Sequence, residues 1–329
     1  MKSQWTGFRS PLGPGIEAFL AHRRALGCRL RTEEMTFRLL DRFLVEQHVA
    51  SLDAITPVVI DAFLASRPRP APESYNHLLA TVSRVFEWLA ARDLAPPSPV
   101  RATRRRGTRS RLPFLFDAAA ARRLLEAAGH LPEVTSTPLR GPAYRTIFAL
   151  LYGLGMRVGE VARLRVGDLD FERQLLVVRQ AKFGKSRLVP FGPRMGGFVM
   201  EYLNLLEHRR GPLSPMTPLF SFRKAEPVHP ATISHTFQEL IPQLGLTIPD
   251  GTSHPCVHCL RHSFAVGRLL RWYRDGIDPA AKLLALSTFL GHVNPVSTAV
   301  YLTATTELLS EANQRFERWA APLIQEVPS

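Results

Sequence analysis

The stretch that most restricts how this chain can fold is one that cannot pack. Ala95 to Arg111 is seventeen residues with no apolar periodicity, three prolines and six arginines. Proline removes a backbone donor and disfavours helix, so this segment reads as a linker. It divides the chain into residues 1–95, a basic linker at 96–112, and residues 113–329. At ~3.3 Å per residue the linker can reach on the order of 50 Å.

Each flank has the material for its own core. The chain has 329 residues and is 45% hydrophobic, and single cores stop growing near about 250 residues. Before the linker the pattern is helical. Ile16, Phe19, Leu20 and Leu26 open one stripe, and Phe37, Leu40, Phe43 and Leu44 recur at helical spacing. Pro57 starts a third helix over Val59, Ile60, Phe63 and Leu64, and a fourth runs from about Glu73 to Arg92. After the linker the pattern is mixed. Asp117 can cap a helix over Ala118 to Ala128, and Pro142 can start another through Leu151. Gly153 and Gly155 break that run before a short helix over Arg157 to Leu164. Short β-branched runs at Asp168–Phe171, Leu175–Gln180 and Arg187–Phe191 read as strands, with Lys182-Phe183-Gly184-Lys185 turning between the last two. Helices follow at about Pro193–His208, Ala231–Leu244, Cys256–Trp272, Pro279–Leu290 and Pro295–Leu302. The fold class is mainly α with a small antiparallel β-sheet.

The formal charge of +14 points to a polyanionic partner, with nucleic acid the default. Of 42 basic residues 37 are arginine, which a coding bias toward arginine explains; such a bias does not explain the excess of positive over negative charge. The linker arginines Arg101, Arg104, Arg105, Arg106, Arg109 and Arg111 are candidate phosphate contacts. The longest apolar run, Ile147 to Met156, is half the ~20 residues of a membrane span. A cytoplasmic location with no membrane partner is expected. Three cysteines cannot make a disulfide framework, and Cys256-x-x-Cys259 beside His254 and His258 lacks the second pair that a zinc site needs, so no metal is expected.

Taken singly, the polar residues carry little. Arg157 and Glu160 share a helix face, His258 and Arg261 share another, and His292 precedes Tyr301 by nine residues. As an ordered set they are specific. Gly155-Met156-Arg157-Val158-Gly159-Glu160, His258-Cys259-Leu260-Arg261-His262-Ser263-Phe264-Ala265, and Leu290-Gly291-His292 through Thr298 to Tyr301 resemble the three motif boxes of the tyrosine recombinase, or phage integrase, family. The resemblance covers residues of about 113 to 305. The N-terminal helices are similar to the family's SAM-like core-binding domain in length, position and helical character only. In overall texture the chain looks like integrases of transposable elements.

The resemblance implies a mixed α/β catalytic domain of the DNA breaking-rejoining type. It implies that Tyr301 attacks a DNA phosphodiester to give a 3'-phosphotyrosyl link, with no cofactor, metal or ATP. Arg157 and Arg261 would hold the nonbridging oxygens, for which planar bidentate guanidinium groups are suited. His258 would take the tyrosine proton, His292 would support the phosphate, and Glu160 would orient the arginine face. The leaving 5'-oxygen needs a donor that can lose a proton, as lysine can and arginine cannot. Two of only five lysines stand at Lys182 and Lys185. Position favours Lys182, and Lys185 stays open because Phe183 stands where the family has a small residue. The family also works as a tetramer on two double-stranded DNA sites, with other recombinases or accessory factors of the same element as further partners. A helix from about residue 306, with Leu308, Leu309, Ala312, Phe316 and Trp319 as its stripe, would dock on a neighbouring protomer or on its own domain. Two rival functions are a type IB topoisomerase and a non-catalytic DNA-binding accessory protein.

Overall fold

The computed structural model describes residues 7–28, 30–107, 111–133, 137–179, 186–222, 226–292, 294, 296–299, 301, 310, 311, 313, 314 and 317. The chain forms two compact units, Met1–Ser110 and Arg111–Ser329.

The first unit contains α1 (Gly13–Ala25), α2 (Arg31–Glu46), α3 (Pro57–Ala65) and α4 (Pro72–Ala90). Its core is the stripes read from the sequence without Leu26, which ends α1 and is 63% exposed; Ile16, Phe37, Leu40, Leu44, Ile60, Phe63, Val82 and Val85 are fully enclosed. One buried charge sets the entry to the bundle. The Asp41 carboxylate on α2 accepts the backbone N–H groups of Arg9 and Ser10 at 2.8–3.0 Å, satisfying donors ahead of α1.

Part of the linker packs on the first unit. Ala95, Val100 and Ala102 pack against the first unit's core. Further on, Asn76 of α4 exchanges two 2.8 Å hydrogen bonds with the backbone of Arg105. The Arg105 guanidinium donates to the Arg69 carbonyl at 2.8 Å and lies 3.9 Å over the Tyr75 ring. Residues 96–105 are therefore fastened to the helical bundle. Their prolines prevent a helix but leave backbone and side-chain groups that α4 can bind. Arg109 lies outside the described residues.

The second unit is built around α6 (Arg140–Gly153), which buries almost its whole circumference beneath α5 (Ala118–Gly129), α8 (Pro193–Arg210), α9 (Pro230–Leu240) and α10 (Val257–Arg274). Asp117 caps α5 as expected, accepting from the Ala120 N–H at 2.6 Å. Helix α6 starts at Arg140, two residues before Pro142, because Leu139 turns the chain with a φ of 60°. Helix α7 spans only Val158–Val161. Leu164, expected inside it, instead accepts the Leu219 N–H at 2.8 Å.

Strands β1 (Leu169–Asp170), β2 (Leu175–Val178) and β3 (Arg187–Pro190) form an antiparallel sheet in that order. Leu176 and Val178 point into the core, and Arg187 pairs with Val178 at the end of the β2–β3 ladder where the chain passes from one strand to the other. The turn between them, residues 180–185, lies outside the described residues, so Lys182 and Lys185 do too. Helices α11 (Pro279–Leu290) and α12 (Val296–Ala299) close the unit. Ala265, Val266 and Leu269 of α10, Leu286 and Leu290 of α11, and Tyr301 form a separate small core. Glu311 reaches Arg274 of α10 at 2.9 Å. Leu308, Leu309, Ala312, Phe316 and Trp319 lie outside the described residues. No helix among the described residues is long and apolar enough to cross a membrane.

Candidate active site

The site is assembled on one buried carboxylate. Glu160, 4% exposed, lies in the first turn of α7, and its Oε2 accepts the Arg157 N–H at 3.0 Å, capping the helix. Its Oε1 accepts from the Arg157 guanidinium at 2.9 Å. Arg187 of β3 then meets both oxygens at 2.8 and 2.9 Å in a bidentate pair. Burial alone raises a carboxyl pKa; the Arg187 and Arg157 bonds overturn that and hold Glu160 down at about 2.

The three arginines nearest this carboxylate converge on the turn after α11. Arg157 donates to the Gly291 carbonyl at 2.9 Å and Arg187 to the Phe289 carbonyl at 2.9 Å. Arg261, on α10 and only 1% exposed, donates to the Leu290 carbonyl at 2.7 Å and the Gly155 carbonyl at 2.6 Å. Its Nε has no hydrogen-bond partner among the described residues. Burial and the Arg157 charge lower Arg261 to about 10, leaving it a cation at neutral pH. Glycine is needed on two sides of this cluster. Gly155 has a φ of +59° and a Cβ there would lie 2.5 Å from Phe264; Gly291 has a φ of +68° and its Cβ would lie 2.9 Å from the Arg187 guanidinium.

Histidines and a phenol complete the cluster. His258 and His262 stand one turn apart on α10 with ring centroids 4.6 Å apart, edge to face. Tyr301 is 5% exposed, and its hydroxyl lies 3.0 Å from His262 Nδ1. His292 stacks at 6.4 Å from the Tyr301 ring and is oriented by Thr298, whose buried hydroxyl is 2.7 Å from its Nδ1. Burial, aided by His258 and Arg261, takes His262 down to about 4. Burial and the surrounding arginines take His292 to about 4 as well. His258 is also lowered, by partial burial and then by Arg261 and Arg157. The three imidazoles are therefore neutral at pH 7 and able to accept protons. Burial raises the Tyr301 phenol, against the opposing pull of Arg261 and Arg157. With both groups neutral, the phenol can donate to His262 when the imidazole carries its proton on Nε2.

Three guanidinium groups against one carboxylate leave net positive charge beside a buried phenol, a setting that suits an anion with several oxygens. A family model described as the phage integrase family matches residues 117–307, the span that supplies every residue of this cluster. The chain belongs to the phage integrase family. Relatives within it include the putative integrase/recombinase y4rB of Sinorhizobium fredii, 33% identical over 307 residues, covering 92% of this chain and 96% of that protein. Tyrosine recombinase XerC of Mesorhizobium japonicum is 28% identical over 265 residues, covering 80% and 79% of the two chains. The Tn1549 transposon integrase, solved in complex with a circular intermediate DNA, shares the fold at a TM-score of 0.63 and 17% identity, covering 92% of this chain and 99% of that one. With family membership comes the class of enzyme, a tyrosine-type site-specific recombinase.

Of the recombinase's sequence-derived residues, Arg157, Glu160, His258, Arg261, His292 and Tyr301 come together in one cluster. Arg101, Arg104, Arg105, Arg106 and Arg111 are exposed, and of these Arg105 is occupied by α4 and Arg69. Two members were missed by sequence reasoning. Arg187 appeared there only as a strand end, although a long cation in an otherwise apolar strand is a signal that it has a buried partner. His262 was passed over although it stands four residues after His258, on the same helix face.

Proposed function

We propose that this recombinase cleaves and rejoins DNA through a 3'-phosphotyrosyl intermediate formed by Tyr301, without metal or ATP. The observation that carries the reading is the Tyr301 hydroxyl, enclosed beside Arg261 and 3.0 Å from a neutral imidazole. The phenolic oxygen attacks phosphorus, the bond from phosphorus to the 5'-oxygen breaks, and the phenol's proton passes to His262. His258, packed against the His262 ring, is the second station rather than the first. Arg157 and Arg261 hold the nonbridging oxygens, on which negative charge grows in the transition state, and His292 supports them. Arg187 acts through Glu160 to keep the arginine face oriented. Lys182, with Lys185 as the alternative, protonates the leaving oxygen. Because the phosphodiester energy is kept in the tyrosyl link, the 5'-hydroxyl of a second strand can reverse the step.

The substrate is double-stranded DNA. The net charge of +14 supports a polyanionic partner, as do the complexes of the Tn1549 integrase and of XerH bound to difH substrate. Exchange between two DNA sites calls for four protomers, and a transposable element is the genetic setting proposed.

A nicked suicide substrate tests the chemistry. Wild-type protein should accumulate a covalent adduct and Tyr301→Phe should not; an adduct that persists in the variant removes Tyr301 from the role. Strand exchange between two labelled duplexes is the expected outcome. Relaxation of one supercoiled circle without exchange would support a type IB topoisomerase instead.

A further inference from the structure

The two cysteines on either side of His258 take no part in the reaction above. Cys256 is the N-cap residue of α10 and is exposed, whereas Cys259 is 1% exposed in the main core of the second unit. Their sulfur atoms are 3.4 Å apart. The Cys256 N–H points at Cys259 Sγ at 3.4 Å, and the Cys259 N–H bonds the Cys256 carbonyl at 2.8 Å, so the pair caps the helix reciprocally. A disulfide needs sulfur atoms at about 2.05 Å, so a modest closing movement separates this contact from a bond. His254 is exposed and its Nδ1 faces the Pro255 carbonyl at 3.3 Å. No three His, Cys, Asp or Glu side chains among the described residues are grouped as metal ligands.

The two thiols differ as a nucleophile and a resolving thiol must. The hydrogen bond from the Cys259 thiol brings Cys256 down to about 6 against its burial, helped by the backbone N–H groups of Cys259 and His258 and by His254. Cys259 is pushed up by the same pairing and by burial, and stays protonated. An exposed thiolate at a helix N-terminus with a protonated thiol one turn behind it is the arrangement that attacks a disulfide and then closes on itself.

We propose that Cys256 and Cys259 form a reversible dithiol–disulfide couple that takes low-molecular-weight disulfides as its substrate, and that its closure is felt at His258. The Cys256 thiolate attacks one sulfur of the disulfide, the S–S bond breaks, and one thiolate leaves. Cys259 then gives its proton to that thiolate and attacks Cys256 Sγ, expelling the second thiolate, which takes a proton from water. Two protein thiols are oxidised by two electrons and one disulfide is reduced to two thiols. The ring so closed contains His258, and its formation removes the Cys256 N–H bond to a free Cys259 thiol and tightens the first turn of α10. The effect on cleavage rests on the role of His258 proposed above; the thiol chemistry does not.

Full-length protein equilibrated in glutathione buffers of graded ratio, acid-quenched, alkylated and weighed intact, tests the couple. The oxidised wild type should carry one alkyl group, on Cys28, in place of three. Cys259→Ser should hold one glutathione on Cys256, and Cys256→Ser should hold none there. Wild type that keeps three alkylatable thiols throughout, or that stops at an open glutathione adduct, overturns the couple. Oxidised wild type should also cleave the suicide substrate several-fold more slowly than reduced, with recovery in dithiothreitol and no redox response in Cys256→Ser. Equal rates overturn the link to His258. Reduced protein that makes no adduct would overturn the reading of the active site, and the thiol count would still decide the couple.

Discussion

Glu160 holds two arginines of the cluster on one carboxylate. Its carboxylate is shared by Arg157 and Arg187 while almost sealed from water. Removing one partner of such a cluster leaves like charges facing each other, so Glu160→Ala should cost about 3–5 kcal/mol in urea unfolding. A loss under 1 kcal/mol would mean that the arginines are held by the backbone carbonyls alone. Acid has two separate effects. Glu160 sits at about 2 in the folded chain, so the unfolded chain binds its proton first, and stability is lost as pH falls from about 4.5 toward 2. His262 and His292, at about 4, likewise take up protons later when folded, and stability falls as pH drops from about 6.5 to 4. His262→Gln should flatten the upper window of a pH series of unfolding midpoints and leave the lower one; an unchanged upper slope would contradict the burial of that ring. The same variant should slow cleavage by about 100-fold or more, as expected for loss of a general base. If His258→Gln has that effect and His262→Gln does not, the proton goes to His258. Lys182→Ala should be rescued by sulfur at the leaving position, which needs no proton; rescue of Lys185→Ala alone would transfer the role to that residue.

Among the elements, the end of α11 concentrates the most constraint. Gly291 ends the helix in the left-handed region, and its carbonyl and those of Leu290 and Phe289 each accept from a different arginine. Gly291→Ala meets both a backbone penalty of about 1–2 kcal/mol and the Arg187 guanidinium, so it should lose stability and cleavage together. Gly245, in the same left-handed region at φ +56° with nothing within 4 Å of a Cβ, is the matched control. Gly245→Ala should lose a similar backbone term in unfolding and keep full cleavage; equal cleavage by both variants would show that the turn does not set the arginines. Helices α1 to α4 and α8 to α11 were legible because each carries an apolar stripe long enough to reveal its period. The small elements were blurred. Helix α7 stops at Val161 because Leu164 is drawn into pairing with Leu219, a partner more than fifty residues away and invisible to local pattern. Arg187 and His262 escaped for the same reason, since their importance comes from Glu160 and Tyr301, to which only the folded chain brings them. The motif boxes gave the six shared residues because order and spacing survive without a structure.

At the scale of the molecule, charge and fastening separate the linker arginines. Arg105 is committed to Asn76, Arg69 and Tyr75, while Arg104 and Arg106 are exposed beside it. If Arg104 and Arg106 contact phosphate, each alanine substitution should reduce the slope of log K against log salt by about 0.9. Arg105→Ala should instead lower the unfolding midpoint of the first unit and leave the slope near the wild-type value. A full drop in slope for Arg105→Ala, measured by fluorescence anisotropy over a salt series, would mean that α4 releases this residue on DNA.

Arg261 joins the Gly155 carbonyl before α7 to the Leu290 carbonyl that ends α11, so one side chain clamps two distant segments while standing beside Tyr301, the proposed nucleophile. On the proposed chemistry, the reagents of this site are also its rivets. A lineage that loses the reaction through Arg261 loses the clamp in the same mutational step, and decay should leave an unfolded chain more often than an inert protein still able to sit on DNA. An accessory protein descended from such a chain would have to discard Tyr301 or the histidines first and keep its arginines long after they had ceased to serve chemistry.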